Sequence, residues 1–291
     1  MEPDVIIAGT DGSRQAECAV EWAAREAAAR GANLLIVAVP SPPPRMAWQR
    51  APGYVPDTVA GTVMRSYQDA LAAAARRACE IEPGLRVRTA LRSGPPAASL
   101  CEAGEQASML VVGSRGGGGF AALVLGSVSR YTATHAQCPV VVVREETTAV
   151  HREIVVGIRD LDQPSAIGFA FEEAALRRAR LRAVHAWQWF LPEMRLTATE
   201  RPGASAGDVT SQAGPWLSGL LGFWREKYPE VEVIEDVVHA HPARVLAGLS
   251  ARADLIVLGR NTCDDSSRPG TNAVTHAVLN HAHGPVAVIA E

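Results

Sequence analysis

A chain that repeats itself has to fold as copies of one unit, and repetition is the strongest constraint in these 291 residues. The apolar stretch VIIAG ending at Gly9 recurs as EIVVG ending at Gly157, an offset of 148 residues. EAAARGANLLIVAV from Glu26 matches EAALRRARLRAVHA from Glu173, offset by 147. SMLVVGSRG around Gly113 matches DLIVLGRN around Gly259, and Pro139 falls on Pro285, both offset by 146. Such a steady offset marks a duplication, joined near EETTAVHRE at 145–153. It predicts two domains, 1–146 and 151–291, each long enough to bury its own core.

Within each copy, short apolar runs alternate with helical stretches. The first copy predicts strands at 4–10, 33–39, 85–91, 109–114 and 139–144. Between them lie segments such as RQAECAVEWAAREAAARG, rich in helix formers with apolar residues at helical spacing. Gly31 stands where a helix C-cap belongs. The strands are near-continuous Val, Ile and Leu, as expected when helices cover both faces of a sheet. Strand–helix alternation then implies α/β domains, each a five-stranded parallel sheet wound by right-handed crossovers.

Several function classes drop out. The longest apolar runs, Leu34–Val39 and Val140–Val143, are strand-length, far below the roughly 18–20 residues that span a bilayer. The acidic start MEPDVIIAGTDGS enters a strand at once, with no signal-peptide pattern, so the expected location is cytoplasmic and no membrane partner is expected. A net charge of −3 offers no basic field for nucleic acid. The five cysteines are scattered, with no Cys-x-x-Cys pair, so neither a zinc site nor a disulfide framework is expected. The sole lysine, Lys227, lies in REKYPE, which excludes a Walker loop. GGGGFA at 116–121 fits Gly-x-Gly-x-x-Ala only nominally, since it follows the fourth strand and lacks the distant acidic partner of a dinucleotide site. The pairs His239/His241 and His281/His283 fall at opposite edges of the sheet, so no metal site is assigned. No nucleophile–base–acid set surrounds Ser127 or any cysteine, so no catalytic residue is assigned.

In open parallel sheets the ligand crevice lies beyond the carboxyl ends of the strands, where the winding reverses. Gly9, Thr10 and Asp11 end the first strand there, and Val39 ends the second. The fourth strand runs into VVGSRGGGGFAALVLGSV, with six glycines between 113 and 126. Bare backbone lets an anion approach, and the helix started by GSVS brings unpaired first-turn amides. Gly126 permits close approach, Ser127 can cap or donate, and Arg115 supplies a forked cation. Asp11 suits a ribose hydroxyl or a metal-bound water, and Val39 suits a base. The combination describes a nucleotide pocket; a plain glycine-rich surface loop is the alternative.

The spacing Gly-x-x-Gly-x9-Gly-Ser, from Gly113 and Gly116 to Gly126 and Ser127, together with TDGS after the first strand and CPVVVV at the end, resembles the ATP-binding branch of the universal stress protein family. The tandem arrangement is similar to its two-domain bacterial members, over nearly the whole chain. The resemblance implies Rossmann-like domains with strand order 3-2-1-4-5, and ATP, with or without Mg, held without a P-loop. It places adenine and ribose near Gly9, Thr10, Asp11 and Val39. It places phosphates on Gly113, Ser114, Arg115, Gly116, Gly117, Gly126, Ser127 and Val128.

The second copy departs from that pattern. Gly116 becomes Thr262, Gly126 and Ser127 become Asn272 and Ala273, and CDDSSRPGT brings Asp264 and Asp265 to where phosphates would lie. Arg159 stands in the place of Asp11. Two carboxylates repel a triphosphate unless a cation intervenes, so one working site is expected, in the first copy. The loops 40–57 and 187–207 lie beside the ligand edge as lids, docking surfaces or ordinary packed loops. The last strands, PVVVVRE and PVAVIAE, lie at sheet edges; pairing them antiparallel would make an internal pseudo-dimer with a rough two-fold axis, leaving homodimerisation open. The expected role is an ATP-binding regulatory protein of the stress response. The alternatives are a nucleotide-independent scaffold, or an enzyme with weak ATP hydrolysis or adenylyl transfer.

Overall fold

The computed structural model describes residues 4–40, 57–116, 125–144, 149–159, 163–187, 206–260 and 271–291. The chain divides into two compact units, Met1–Glu146 and Thr147–Glu291. The loops 40–57 and 187–207 fall almost wholly outside the described residues.

The first unit runs β1 (Val5–Thr10), α1 (Arg14–Arg30), β2 (Asn33–Ala38), α2 (Asp57–Ile81), β3 (Val87–Leu91), α3 (Pro96–Gly104), β4 (Met109–Gly113), α4 (Ser127–His135) and β5 (Val140–Val143). Its strands lie in the order β3-β2-β1-β4-β5, every pair parallel. The order reverses between β1 and β4, so the ends of those two strands frame the crevice that such a sheet offers a ligand. Ile6, Leu34, Ile36, Met109 and Leu110 are fully buried, as strands covered on both faces require.

Helix α1 shows how local sequence sets this geometry. Ser13 caps its start, its Oγ accepting the Ala16 N–H at 3.3 Å. Gly31 ends it in the left-handed region, at φ 67°, as the C-cap expectation required. Its inner face is nearly all small, with Ala19, Val20, Ala23, Ala24 and Ala27 fully buried. Short side chains let the helix axis approach the sheet, which brings the first turn of α1 against the end of β4.

The second unit repeats the plan with β6 (Glu153–Gly157), α5 (Pro164–Arg177), β7 (Arg180–Trp187), α6 (Ala206–Lys227), β8 (Val233–His239), α7 (Pro242–Leu249), β9 (Leu255–Arg260), α8 (Thr271–His281) and β10 (Val286–Ala290). The strands again lie parallel, in the order β8-β7-β6-β9-β10, which is 3-2-1-4-5 counted within the repeat. Both units therefore have the α/β, Rossmann-like organisation expected from the sequence.

The copies diverge in how they are held. Arg178 occupies the left-handed cap position that Gly31 fills in the first unit, at φ 49° and ψ 45°. In β6, Glu153 is buried and paired with its cross-strand neighbours: Arg180 Nε lies 2.5 Å from Oε2 and Arg182 Nε 2.8 Å from Oε1. Arg182 reaches on to Asp236 in β8 at 3.3 Å, so one ion network ties three strands. Burial by itself pushes the Glu153 carboxyl up, but the hydrogen bonds and charges of Arg182 and Arg180 outweigh it and hold the group below its ordinary value.

Candidate functional site

The crevice has two lips. The first is the turn leaving β1. Thr10 is buried, and its Oγ1 accepts the Gly12 N–H at 3.2 Å. The Asp11 Oδ1 accepts the Ser13 N–H at 3.0 Å, an Asx turn that hands the chain straight to the cap of α1. Gly12 sits at φ 80°, with its Cα so close to α2 that an added Cβ would lie 3.1 Å from Ala70 Cβ. The turn is thus fixed by its own side chains and by the wall of α2. Asp11 itself is exposed.

The second lip is the glycine loop. Ser114 follows β4, is buried, and donates its N–H to Val143 O at 2.7 Å. Its own carbonyl accepts the Gly126 N–H at 2.7 Å, closing the loop at its stem. Gly126 is the N-cap of α4, with extended backbone at φ −70° and ψ 156°. Ser129 Oγ donates to Gly113 O at 2.6 Å, pinning the first turn of α4 to the end of β4. The amides of Ser127, Val128 and Ser129 belong to that first turn, where no intrahelical acceptor is available. Ser127 is exposed and Val128 half-buried.

The lips meet at one point. A Cβ placed on Gly116 would lie 2.3 Å from Asp11 Oδ2, so the carboxylate lies over bare backbone. Two residues 105 positions apart in sequence are brought together because β1 and β4 are sheet neighbours, paired from Ile6–Met109 to Ala8–Val111. Arg115 and Gly116 are both exposed, on the open side of this junction.

Other anticipated site residues lie deeper. Gly9 is buried, and a Cβ there would meet Leu100 Cδ1 of α3 at 3.1 Å. Val39 is buried just beyond β2. At Gly113 the space of a side chain is already taken: a Cβ would lie 2.7 Å from the carbonyl carbon and oxygen of Gln15 and 2.9 Å from Ala16 N. Its bareness admits the first turn of α1. Gly117 lies outside the described residues. Sequence reasoning passed over Ser13, Ala70 and Ser129, which set the shape of both lips. Ser129 was legible as the last residue of GSVS, whereas nothing local marked Ala70 as a wall.

These features can be set beside known proteins. The sequence profile of the universal stress protein family matches residues 3–144 and again 151–290. A universal stress protein of Mycobacterium tuberculosis is 32% identical over 299 residues, covering 97% of this chain and 96% of that protein. A second from the same organism is 31% identical over 304 residues, covering 98% and 96%. The chain belongs to the universal stress protein family. In three dimensions, a universal stress protein from Archaeoglobus fulgidus superposes with a TM-score of 0.70 at 17% identity, covering 99% of this chain and 96% of that one. A functionally unknown protein from Pseudomonas aeruginosa superposes at 0.59 and 14% identity, covering 99% and 92%. These two likenesses concern the fold.

The second universal stress protein domain builds the equivalent edge differently. At Gly259, the counterpart of Gly113, a Cβ would lie 2.5 Å from Gln163 Nε2 and 2.9 Å from Glu291 Oε1. Side chains occupy the place that the helix backbone takes in the first domain. Gln163 Oε1 accepts the Arg159 N–H at 2.7 Å. Glu291 accepts the Ser165 and Ala166 amides, each at 3.0 Å, so the start of α5 is capped by the domain's own carboxylate. Thr262, Asp264 and Asp265 lie outside the described residues, and Asn272 and Ala273 fall in the first turn of α8. Among the described residues, no group of three or more His, Cys, Asp or Glu is placed to hold a metal ion, and no helix is long and apolar enough to cross a membrane.

Proposed function

We propose that the first domain binds ATP and that the protein serves the stress response as a nucleotide-dependent regulatory module. The single observation that carries this reading is the junction of Asp11 with Gly116, beside the start of α4. A carboxylate lies over bare backbone, an exposed arginine is next to it in sequence, and first-turn amides begin eleven residues on at Ser127. Amides at a helix start favour an anion, and a carboxylate at the opposite lip accepts the hydroxyls of a ribose. In this reading the phosphates lie on Ser114–Gly117 and Gly126–Val128, and the sugar and base lie toward Thr10, Asp11 and Val39. Mg enters as the counter-ion of the polyphosphate.

The second domain works without nucleotide in this proposal. Its counterpart of Asp11 is Arg159, and Glu291 already takes the Ser165 and Ala166 amides at the start of α5. Regulation is favoured over turnover because the sequence carries no nucleophile–base–acid set around Ser127 or any cysteine.

Mass spectrometry of small molecules released from freshly purified protein, followed by calorimetric titration with ATP, tests the proposal. The expected result is one ATP per chain. Protein that purifies empty and takes up no ATP would establish a nucleotide-independent scaffold, two per chain would restore the second domain, and steady ADP or AMP formation would make the protein an enzyme.

A further inference from the structure

Helix α1 carries its charges in the order that a helix dipole favours, with Glu17 in its first turn and Arg30 in its last. Helix α4 reverses that order. Its first turn holds no acidic residue, and Arg130, whose N–H donates to Gly126 O at 3.0 Å, closes that turn with a positive charge. Arg130 is exposed, and among the described residues its guanidinium has no carboxylate partner. A second arginine stands at the same helix start. Arg115 Cα would lie 3.4 Å from a Cβ on Gly126, and its guanidinium too has no carboxylate partner among the described residues. Two guanidinium groups at the positive end of a helix repel each other and the dipole unless an anion lies between them.

Helix geometry directs the Arg130 side chain. A helical side chain leans toward the N-terminus and covers the turn before its own Cα. One turn before Arg130 lie Gly126, which has no side chain, and Ser127. Ser127 is about 4.5 Å nearer the start along the axis, within the length of an arginine side chain. The guanidinium therefore comes over the first-turn amides from the solvent side, while Arg115 approaches them from the stem of the glycine loop. Those few amides satisfy one phosphate; a longer polyphosphate extends past them and needs cations. The duplication carries the same message. At the offset of 146, Arg115 and Arg130 become Asn261 and His276, so both permanent charges are absent from the copy that has also lost the glycine pattern.

We propose that Arg130 is a specificity-determining residue of the first domain: with Arg115 it clamps the phosphate farthest from the sugar, so that the site selects a nucleoside triphosphate over a nucleoside monophosphate. This rests on the nucleotide reading above and adds to it a residue and a basis of selection.

Calorimetric titration of the full chain with ATP, AMP and inorganic tripolyphosphate tests it in the parent, in Arg130→Gln and in Arg130→Lys. The parent should prefer ATP to AMP. Arg130→Gln should weaken ATP and tripolyphosphate at least about fivefold, as loss of one charge-assisted contact requires, and change AMP by less than about twofold. Arg130→Lys keeps the charge and should recover most of the loss. Without ligand, Arg130→Gln should melt about 1–3 °C above the parent, because the charge that the dipole repels is gone. Equal losses for ATP and AMP would overturn the proposal, since a merely structural role weakens both. Unchanged ATP affinity in Arg130→Gln would also overturn it and leave the nucleotide site standing without this residue. If the parent takes up tripolyphosphate through Arg130 but no nucleotide, the anion clamp stands and the ATP reading falls; a parent that binds none of the three overturns both.

Discussion

Gly113 and Gly116 are three residues apart in one glycine motif, yet the same substitution should affect them in opposite ways. In Gly113→Ala the new Cβ would stand 2.7 Å from the Gln15 carbonyl and 2.9 Å from Ala16 N, both backbone atoms of α1. They cannot rotate aside, so the first turn of α1 and the Ser13 cap must move by roughly half an ångström, an overpacking cost of about 2–3 kcal/mol. For a unit of this size that lowers Tm by about 5–10 °C. In Gly116→Ala the obstacle is Asp11 Oδ2, the end of an exposed side chain that can swing away. Swinging aside gives up the 3.0 Å bond from the Ser13 N–H, worth about 1 kcal/mol or less. The displaced carboxylate should nevertheless cost ATP affinity at least tenfold. Urea denaturation followed by circular dichroism reads the first effect, and calorimetric titration reads the second. If Gly113→Ala is as stable as the parent, the packing argument is wrong; if Gly116→Ala keeps full ATP affinity, the Asp11–Gly116 junction is not the nucleotide site.

Gly126→Val should abolish ATP binding with the fold retained, since φ −70° and ψ 156° suit any residue and the added atoms crowd Ser114 O and Arg115 Cα at 3.3 and 3.4 Å; an unchanged calorimetric Kd would contradict this. Arg178→Gly should stabilise the second unit by about 1 kcal/mol, because an arginine now holds the left-handed conformation natural to glycine, and denaturation midpoints measure it. Glu153→Gln should cost about 2–3 kcal/mol at neutral pH by leaving Arg180 and Arg182 without their shared carboxylate. Because the folded-state pKa of Glu153 is depressed, its contribution is present above the unfolded value of about 4.3 and fades as pH falls through the folded value. The stability of the parent should therefore decline more steeply with acid than that of the variant, as acid titrations of denaturation midpoints would show.

The repeat, the α/β class and the parallel sheets were legible in the sequence because they rest on local periodicity and on matches between copies. Continuous Val/Ile/Leu runs separated by Ala-rich helices leave few other arrangements, and the C-cap at Gly31 announced itself by type. The ends of the glycine motif likewise lie where the sequence put them, Gly113 at the end of β4 and Gly126 at the start of α4. Sequence could not divide the labour among its glycines. Gly113 faces the Gln15 backbone and Gly116 faces Asp11, and that difference arises only when α1 is laid against β4. The same holds for the second unit, where Glu291 caps a helix 125 residues earlier in the chain, at Ala166. Periodicity and residue type act within a few positions along the chain; close approach between distant backbones is set by packing, and packing is decided by the whole fold.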